Sequence, residues 1–226
     1  MKSETWLTLE IGPKRKKTVA VAPNWPGLER GAKTEEEAIE RLLSYLPRYA
    51  PVAKLAGMEA EFDAIKRVKV VEKYPGKGST DFWGISFAFS SIDKQSMTAD
   101  ELERELTLMQ ACWAFFDAVR RRVSAELQKG PRGGGRDRDQ IARHIFANER
   151  DWAKRIDVHT PDDALLTRKG LKTHRQAYCR GIRDYHAQGK SAGKVAKWPL
   201  RFLIRHTAFH TMDHAWEMED KDLPGI

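Results

Sequence analysis

The chain contains only two cysteines, and no apolar run approaches the roughly 18–20 residues that are needed to cross a bilayer. Cys112 and Cys179 are far apart and each lies within a helical pattern, so they predict buried thiols and not a disulfide framework. The first residues lack the apolar stretch and the small-residue cleavage site of a secretion signal. These absences predict a cytoplasmic protein with no membrane partner.

Charge is the second broad feature of the composition. Basic residues outnumber acidic ones by 40 to 32, which gives a formal net charge of +8. An excess of this kind can indicate a polyanionic partner. The densest basic run, residues 14–17, lies beside a predicted strand, and Arg120, Arg121 and Arg122 are about 100° apart on a helix and cannot share one face. Both runs are therefore interpreted as solvated surface, and nucleic acid is not the favoured partner.

The first ninety residues contain the signals of a small β-β-α-β unit. Three segments alternate or run apolar with β-branched residues, which is typical of strands: residues 5–10, 17–22 and 65–72. The Gly12–Pro13 turn joins the first two, and residues 23–31 predict a loop. A Thr-x-x-Glu capping box then begins a helix at Thr34. Residues 74–91 are turn-rich and aromatic and predict a connector or a lid, which completes a domain of residues 1–90.

From about residue 95 the pattern changes to long helical periods. Helix starts are predicted at four positions: Thr98, Asp137, Thr160 and Pro199. The first two have the spacing of a capping box, and the third is followed by a proline at the first helical position. Four amphipathic segments with short loops predict an up-and-down four-helix bundle over residues 91–226. The expected fold class is α+β, with the small sheet unit before the bundle.

Three of the seven histidines occur in RHTAFHTMDHAWEMED, at His206, His210 and His214. Residues four positions apart differ by about 40° in direction around a helix, so neighbouring imidazoles can point at one ion. The outer two are two turns apart, and a bundle normally takes its remaining ligand from another helix. His144 adjoins the apolar stripe of the second long helix and is the natural donor. On spacing alone, hydrogen-bonded core histidines and a metal site both remain open.

The segment IARHIFANERDWAKRI, followed later by RHTAFHTMDHAWEMED, resembles the DinB-like family of four-helix proteins over roughly residues 95–220. Members of that family carry one ligand histidine on the second helix and a His-x-x-x-His pair on the fourth. The resemblance implies that His144, His210 and His214 bind one divalent metal ion, with His206 as a neighbour. Zinc is the favoured ion, and nickel, iron and manganese are the alternatives.

DinB-like proteins include metal-dependent enzymes that use a low-molecular-weight thiol, among them mycothiol-dependent maleylpyruvate isomerase and related S-transferases. The resemblance therefore implies a metal-dependent transferase with a mycothiol-like cofactor and a small-molecule substrate. A metal-hydroxide hydrolase is the nearest alternative. The alternative from another class is a non-catalytic metal-binding or regulatory protein that contacts nucleic acid through its basic surface. Whether the protein forms a homodimer is open.

A shorter stretch, VAVAPNWPGLERGAKTEEEAIERL, is similar to HicB-like antitoxin domains in the order of its strand, Pro–Gly loop and helix. The similarity implies a β-β-α-β module and carries no antitoxin role with it, because neither a toxin domain nor a separate DNA-binding segment is apparent.

Several polar residues lie near the predicted ligands. Asn148 is one turn beyond His144. Glu217 shares the face of the fourth-helix histidines, where it orients a ligand imidazole, accepts a proton, or is a surface carboxylate. Glu149 is about 140° from His144 and is expected on the outside of the helix. Asp213 flanks a ligand and is equally consistent with a solvated acid. No residue receives a catalytic assignment.

The stretch GPRGGGRDRD predicts a flexible turn and not a phosphate-binding loop, because it follows a helix and lacks the Gly-Lys-Ser/Thr ending. Its arginines, Arg132, Arg136 and Arg138, are candidates to contact an anionic substrate near the mouth of the bundle. Phe82 and Trp83, in the connector, are expected either to cover the metal pocket or to pack between the domains.

Overall fold

The computed structural model describes residues 4–131, 133–188 and 198–223. Its N-terminal part contains a four-stranded mixed sheet with the order β3-β2-β1-β4. The strands are β1 (Glu4–Ile11), β2 (Thr18–Val21), β3 (Glu29–Ala32) and β4 (Arg67–Pro75). Strand β2 pairs antiparallel with both β1 and β3, whereas β1 and β4 are parallel. A parallel pair needs a crossover connection, and the segment between β3 and β4 provides it with three helices.

The three predicted strands are confirmed, with small shifts at their ends, and the strand β3 was missed. The predicted loop of residues 23–31 was therefore wrong at its C-terminal end, and the unit is not a simple β-β-α-β module. The sequence ERGA has no apolar alternation. Its extended backbone is held by pairing with β2, and its first two side chains, Glu29 and Arg30, are buried by contacts with the last helix of the chain.

Eight α-helices occur among the described residues. They are α1 (Glu35–Ser44), α2 (Leu46–Leu55), α3 (Glu59–Asp63), α4 (Gly78–Trp83), α5 (Ala99–Arg122), α6 (Arg138–Ala153), α7 (Arg168–Ala187) and α8 (Leu200–Asp220). The predicted caps at Thr34 and Thr98 are confirmed by side-chain hydrogen bonds to the first turn of α1 and α5. Asp137 is the residue before α6, as predicted, and its backbone N–H donates to the Gln140 side chain. The chain is thus a mixed α+β protein in which the sheet precedes the long helices.

The predicted start of the third long helix at Thr160 was wrong. Helix α7 begins at Arg168, and its capping residue is Thr167, whose hydroxyl accepts a hydrogen bond from Gly170 N. The Thr160 hydroxyl instead forms a 2.8 Å hydrogen bond with Nδ1 of His174, fourteen residues later. Because the Thr160 side chain bonds to this distant histidine, it does not cap a helix at the position that the sequence pattern suggested.

Helix α8 is the centre of the core. Most of its side chains from Leu200 to Met212 are buried, including charged and polar ones. The N-terminal loop packs directly against it: a Cβ at Gly27, whose φ is +98°, would stand 3.0 Å from the Met212 side chain. One hydrophobic cluster accordingly includes residues of β1, α2, α5, α6 and α8. This packing fixes which residues of α8 face α6.

Two further expectations concern the cysteines and membranes. Both cysteines are free and buried, as predicted. Burial raises the pKa of the Cys179 thiol to about 11, so it is protonated near neutral pH. In the described ranges, none of the helices combines the length and apolar character required to cross a bilayer.

Candidate metal centre

The three histidines that the sequence singled out lie together. His144 is on α6, His210 and His214 are one turn apart on α8, and the two helices are in direct contact. One ring nitrogen from each histidine lies within 4.8 Å of those of the other two. The ring centroids are 4.8–5.0 Å apart, so the imidazoles converge on a common point.

One pair of ligand nitrogens already has the spacing that a tetrahedral cation requires. Nitrogen ligands bind zinc at 2.0–2.1 Å, which puts two of them about 3.3–3.4 Å apart in a tetrahedron. The Nε2 atoms of His144 and His210 are 3.1 Å apart, within a few tenths of an ångström of that spacing. All three ligand nitrogens lie within 4.8 Å of one another, so the group fits a first-row divalent ion once the third imidazole moves inward.

The protonation states also suit ligation, because only a neutral imidazole has a lone pair for a metal. Burial, with the nearby charges of His214 and Arg136, lowers the pKa of His144 to about 4. Burial among the other histidines lowers the pKa of His210 well below its ordinary value. Both rings are neutral at pH 7.

Glu217 orients the third imidazole. Its Oε2 atom is 2.6 Å from Nδ1 of His214, and its other oxygen accepts a hydrogen bond from Lys221. The hydrogen bond from His214 is the first cause that lowers the pKa of Glu217 to about 2, so the carboxylate is ionised. A carboxylate at Nδ1 keeps the proton on that nitrogen and leaves Nε2 free as a donor to a metal. The contact with His214 is the one expected of an orienting carboxylate, and the role of His214 as a metal ligand stays a prediction.

The remaining neighbours of the site are an amide and an indole. The Asn148 amide nitrogen donates a 2.8 Å hydrogen bond to the carbonyl of His144 and lies 3.3 Å from its Nδ1. The ring of Trp152 meets that of His210 edge to face at 5.1 Å, and sequence reasoning had not connected Trp152 with the site. These contacts limit rotation of two of the three imidazoles.

His206 lies among aromatic rings and outside the cluster. Its imidazole stacks on Phe202 at 5.1 Å and is also next to Trp152 and Trp198. Burial lowers the pKa of His206 to about 3, so it is a neutral ring within the core. It does not belong to the group of nitrogens that can share one ion.

The expectation for Glu149 was wrong. Glu149 is buried, and its carboxylate accepts hydrogen bonds from Arg175 of α7, which also pairs with Asp117 of α5. The angular argument placed Glu149 away from His144 correctly, but that face of α6 is covered by α7 and is not open to solvent. Asp213, which was left open, pairs with Arg30 at 3.0 Å and is half exposed.

The residues proposed to surround the site are distributed differently from the expectation. Arg136 is exposed and close enough to influence the pKa of His144. Arg138 pairs with its neighbour Asp139, and Arg132 lies outside the described residues. Phe82 and Trp83 are largely exposed and contact each other, so they neither cover the histidines nor pack in an interdomain core.

A buried ionic group next to the site was missed by sequence reasoning. Arg205, immediately before His206, is 2% exposed and pairs with Glu29 of β3 and with Asp93 of the segment before α5. Its guanidinium also donates to Ser86 and to the Ala88 carbonyl. The only available signal was Arg205 inside the largely apolar stretch FLIRHTAF. This group holds α8 against the N-terminal sheet.

Within the described ranges, no other histidine, cysteine or carboxylate joins the three imidazoles. Structural zinc sites normally have four protein ligands, whereas catalytic ones have three and leave a position for water or substrate. All three residues are only partly buried, so a bound ion would remain accessible. The three-histidine arrangement therefore corresponds to a site with three protein ligands, which leaves one coordination position open.

The fold and the site together define a mixed α+β protein with a three-histidine cluster between two long helices. No model of a known protein family matches the chain, and no curated protein or solved structure matches it either. The relation to the DinB-like and HicB-like families stays a prediction.

Proposed function

We propose that this protein is a metal-dependent transferase of the DinB-like type, which holds one divalent cation on His144, His210 and His214 and acts with a low-molecular-weight thiol similar to mycothiol. Zinc is the favoured ion. The observation that carries the proposal is the convergence of three imidazoles, two of them held neutral by burial, between α6 and α8. In this proposal α5 to α8 form the four-helix bundle, and the protein acts in the cytoplasm, where small thiols stay reduced.

When bound, a divalent ion supplies a Lewis acid that lowers the pKa of a coordinated thiol or water. The chain's own residues prepare the place where this happens. Glu217 keeps the His214 proton on Nδ1, and Trp152 covers one side of the His210 ring. Because an imidazole that binds a metal through its lone pair carries no charge, the charge of the cation would not be cancelled by its protein ligands.

Partial exposure favours a catalytic site over a structural one. The His214 side chain is 13% exposed, and three protein ligands leave a coordination position for an exogenous group. A purely structural site gains nothing from that opening. This is the reason that the transferase is proposed ahead of a non-catalytic metal-binding protein.

Arg136 favours an anionic substrate. Its positive charge contributes to the lowered pKa of both His144 and His210, so it lies within electrostatic range of the cluster. In the part of the chain that the structure describes, no carboxylate pairs with it. A free guanidinium beside an open metal position is suited to hold a carboxylate or a similar anion of the substrate.

The thiol step is tested with cobalt-substituted protein. We expect the visible spectrum to change when mycothiol or glutathione is added, because a thiolate ligand gives a new charge-transfer band. The matched control is the S-methylated form of the same compound, which cannot ionise and should leave the spectrum unchanged. A protein that binds cobalt but shows no response to either thiol would refute the transferase proposal and leave only metal binding.

The role of Glu217 is tested by Glu217→Gln. Loss of a carboxylate that holds a ligand histidine typically lowers metal affinity by about 10- to 100-fold, and we expect a decrease in that range. The measurement is competition with a chromophoric zinc chelator. Asp213→Asn is the matched control, because it removes an acid on the same helix that bonds to Arg30 and not to a histidine. Equal losses in both variants would contradict a specific orienting role.

A further inference from the structure

Two aromatic side chains are exposed far from the histidines. Phe82 and Trp83 are 72% and 62% exposed, the highest values among the large hydrophobic residues of the described chain. They form the end of the short helix α4, which stops at Gly84 in the left-handed conformation with a φ of +72°. The two rings contact each other, with centroids 5.0 Å apart and planes nearly perpendicular at 82°. Clustered exposed aromatic rings of this kind mark interaction surfaces.

The densest basic run of the chain lies next to these rings. The backbone N–H groups of Lys14 and Lys16, in the β1–β2 turn, donate to the Asp81 carboxylate at 2.7 and 2.8 Å. The Lys17 ammonium donates to the carbonyl of Phe82 at 2.8 Å. A Cβ at Gly12 would stand 2.0 Å from Asp81 Oδ1, so only glycine permits this close approach of the turn to α4. We call the combined surface the aromatic–basic patch; it consists of Lys14, Arg15, Lys16, Lys17, Phe82 and Trp83.

The four cations of the patch outnumber the one carboxylate, Asp81, that lies against them. Lys14, Arg15 and Lys16 are exposed, and none of them forms a salt bridge with any described residue. The nearest carboxylate, Asp81, is engaged by the backbone of the turn. The charges and the rings are therefore presented together to an external partner, and charge complementarity requires that this partner is anionic.

We propose that the aromatic–basic patch docks the protein reversibly on an anionic phospholipid surface. Phenylalanine and tryptophan side chains enter the headgroup region, and lysine and arginine side chains attract anionic headgroups. This binding needs no membrane-spanning helix, so it replaces the expectation of no membrane partner that was based on the absence of apolar runs. It is also independent of the metal centre.

The geometry favours a lipid surface over single-stranded nucleic acid and over a second copy of the chain. Perpendicular rings cannot both lie in one continuous stack of bases, which disfavours single-stranded nucleic acid. A second copy of the chain that used the same patch would place two basic clusters against each other, which is repulsive in an isologous dimer. A lipid interface imposes no mutual orientation on the two rings.

The test is co-sedimentation of the full chain with vesicles of phosphatidylcholine, with or without phosphatidylserine. We expect binding only to the vesicles that contain phosphatidylserine, and we expect it to weaken with added salt, because the attraction is screened. Each lysine removed near an anionic surface should lower the partition coefficient by about five-fold, so Lys14→Gln, Lys16→Gln should lower it by more than ten-fold. Phe82→Ala, Trp83→Ala should likewise abolish most binding.

Two matched controls keep the test specific. Lys66→Gln, Lys69→Gln removes the same charge near the other end of β4, and Leu55→Ala removes an exposed apolar side chain on α2. Both should bind as the wild type does. The substituted side chains in every variant are exposed, so unchanged thermal unfolding verifies that the fold is retained. Absence of binding to phosphatidylserine vesicles, equal binding by all variants, or patch-dependent binding to a single-stranded oligonucleotide in place of vesicles would each overturn the proposal.

Discussion

Replacing His210 with alanine is expected to abolish stoichiometric binding of a divalent cation. His210 is one helical turn from His214, and its Nε2 atom is 3.1 Å from that of His144. Its loss leaves two ligands. Loss of a residue that only supports a ligand typically lowers metal affinity by about 10- to 100-fold, and we expect the loss of a ligand to lower it further. The measurement is elemental analysis of protein purified without added metal, together with the double variant His210→Ala, His214→Ala.

Two control variants separate a ligand from a nearby histidine. His206→Phe replaces an imidazole that stacks on Phe202 with another aromatic ring and should retain the metal. His159→Ala removes an exposed imidazole and controls for adventitious surface binding. Equal metal content in the wild type and in the His210→Ala, His214→Ala variant would remove the site, and with it the proposed transferase chemistry. The α+β fold would be unaffected.

Replacing Arg205 with methionine is expected to destabilise the protein by about 3–5 kcal/mol, because removal of one partner leaves buried charges without compensation. The Arg205 guanidinium donates to both oxygens of Asp93, at 2.6 and 2.8 Å, and to Glu29 at 2.7 Å. All three side chains are at most 2% exposed. The free energy of unfolding is measured by urea denaturation. The matched control is Arg183→Met, which removes a partly exposed pair with Glu103 and should cost less than about 1 kcal/mol.

The pH dependence of that variant provides a second readout. In the wild type, burial opposes ionisation of Asp93, but Arg205 and the Ser90 hydrogen bonds outweigh it and hold the pKa below the ordinary value of 3.8. The Asp93–Arg205 pair therefore contributes fully above pH 3.8 and is lost as the pH falls below it. Burial raises the pKa of Glu29 to about 7, so protonation of Glu29 stabilises the wild type as the pH falls through neutral. In Arg205→Met both buried carboxyls lose their cation and their pKa values rise, so stability should increase more steeply than in the wild type as the pH is lowered from neutral. A variant whose stability changes in parallel with that of the wild type on acidification would contradict this account.

Helix caps and surface turns were predictable because both partners lie within a few residues of each other. The hydroxyls of Thr34 and Thr98 bond to the backbone three residues later, as the capping motif requires. The start of α7 was not predictable by the same rule. The Thr160 side chain could cap a local helix or bond to a distant residue, and it bonds to His174. Strand β3 was missed for a related reason, because its conformation depends on pairing with β2.

The candidate site also has features that local sequence predicts and features that depend on distant residues. Sequence angles indicated that Glu149 points away from His144, which is correct, but they assume a helix with one buried face. Helix α6 is covered on two sides, by α8 at His144 and by α7 through Arg175. An angular argument gives the direction of a side chain, and only the neighbouring helices determine whether that direction is inside the protein.

The sequence by itself determined that His210 and His214 share one face of a helix, because the periodicity of the α-helix follows from backbone geometry alone. It also determined where most strands and helices begin. Only the tertiary structure decided that His144 meets those two histidines, that Arg205 is buried beside them, and that the basic run of residues 14–17 lies against α4. These juxtapositions depend on which faces the whole chain buries, since the free energy of burial is a sum over distant contacts and no single segment contains it.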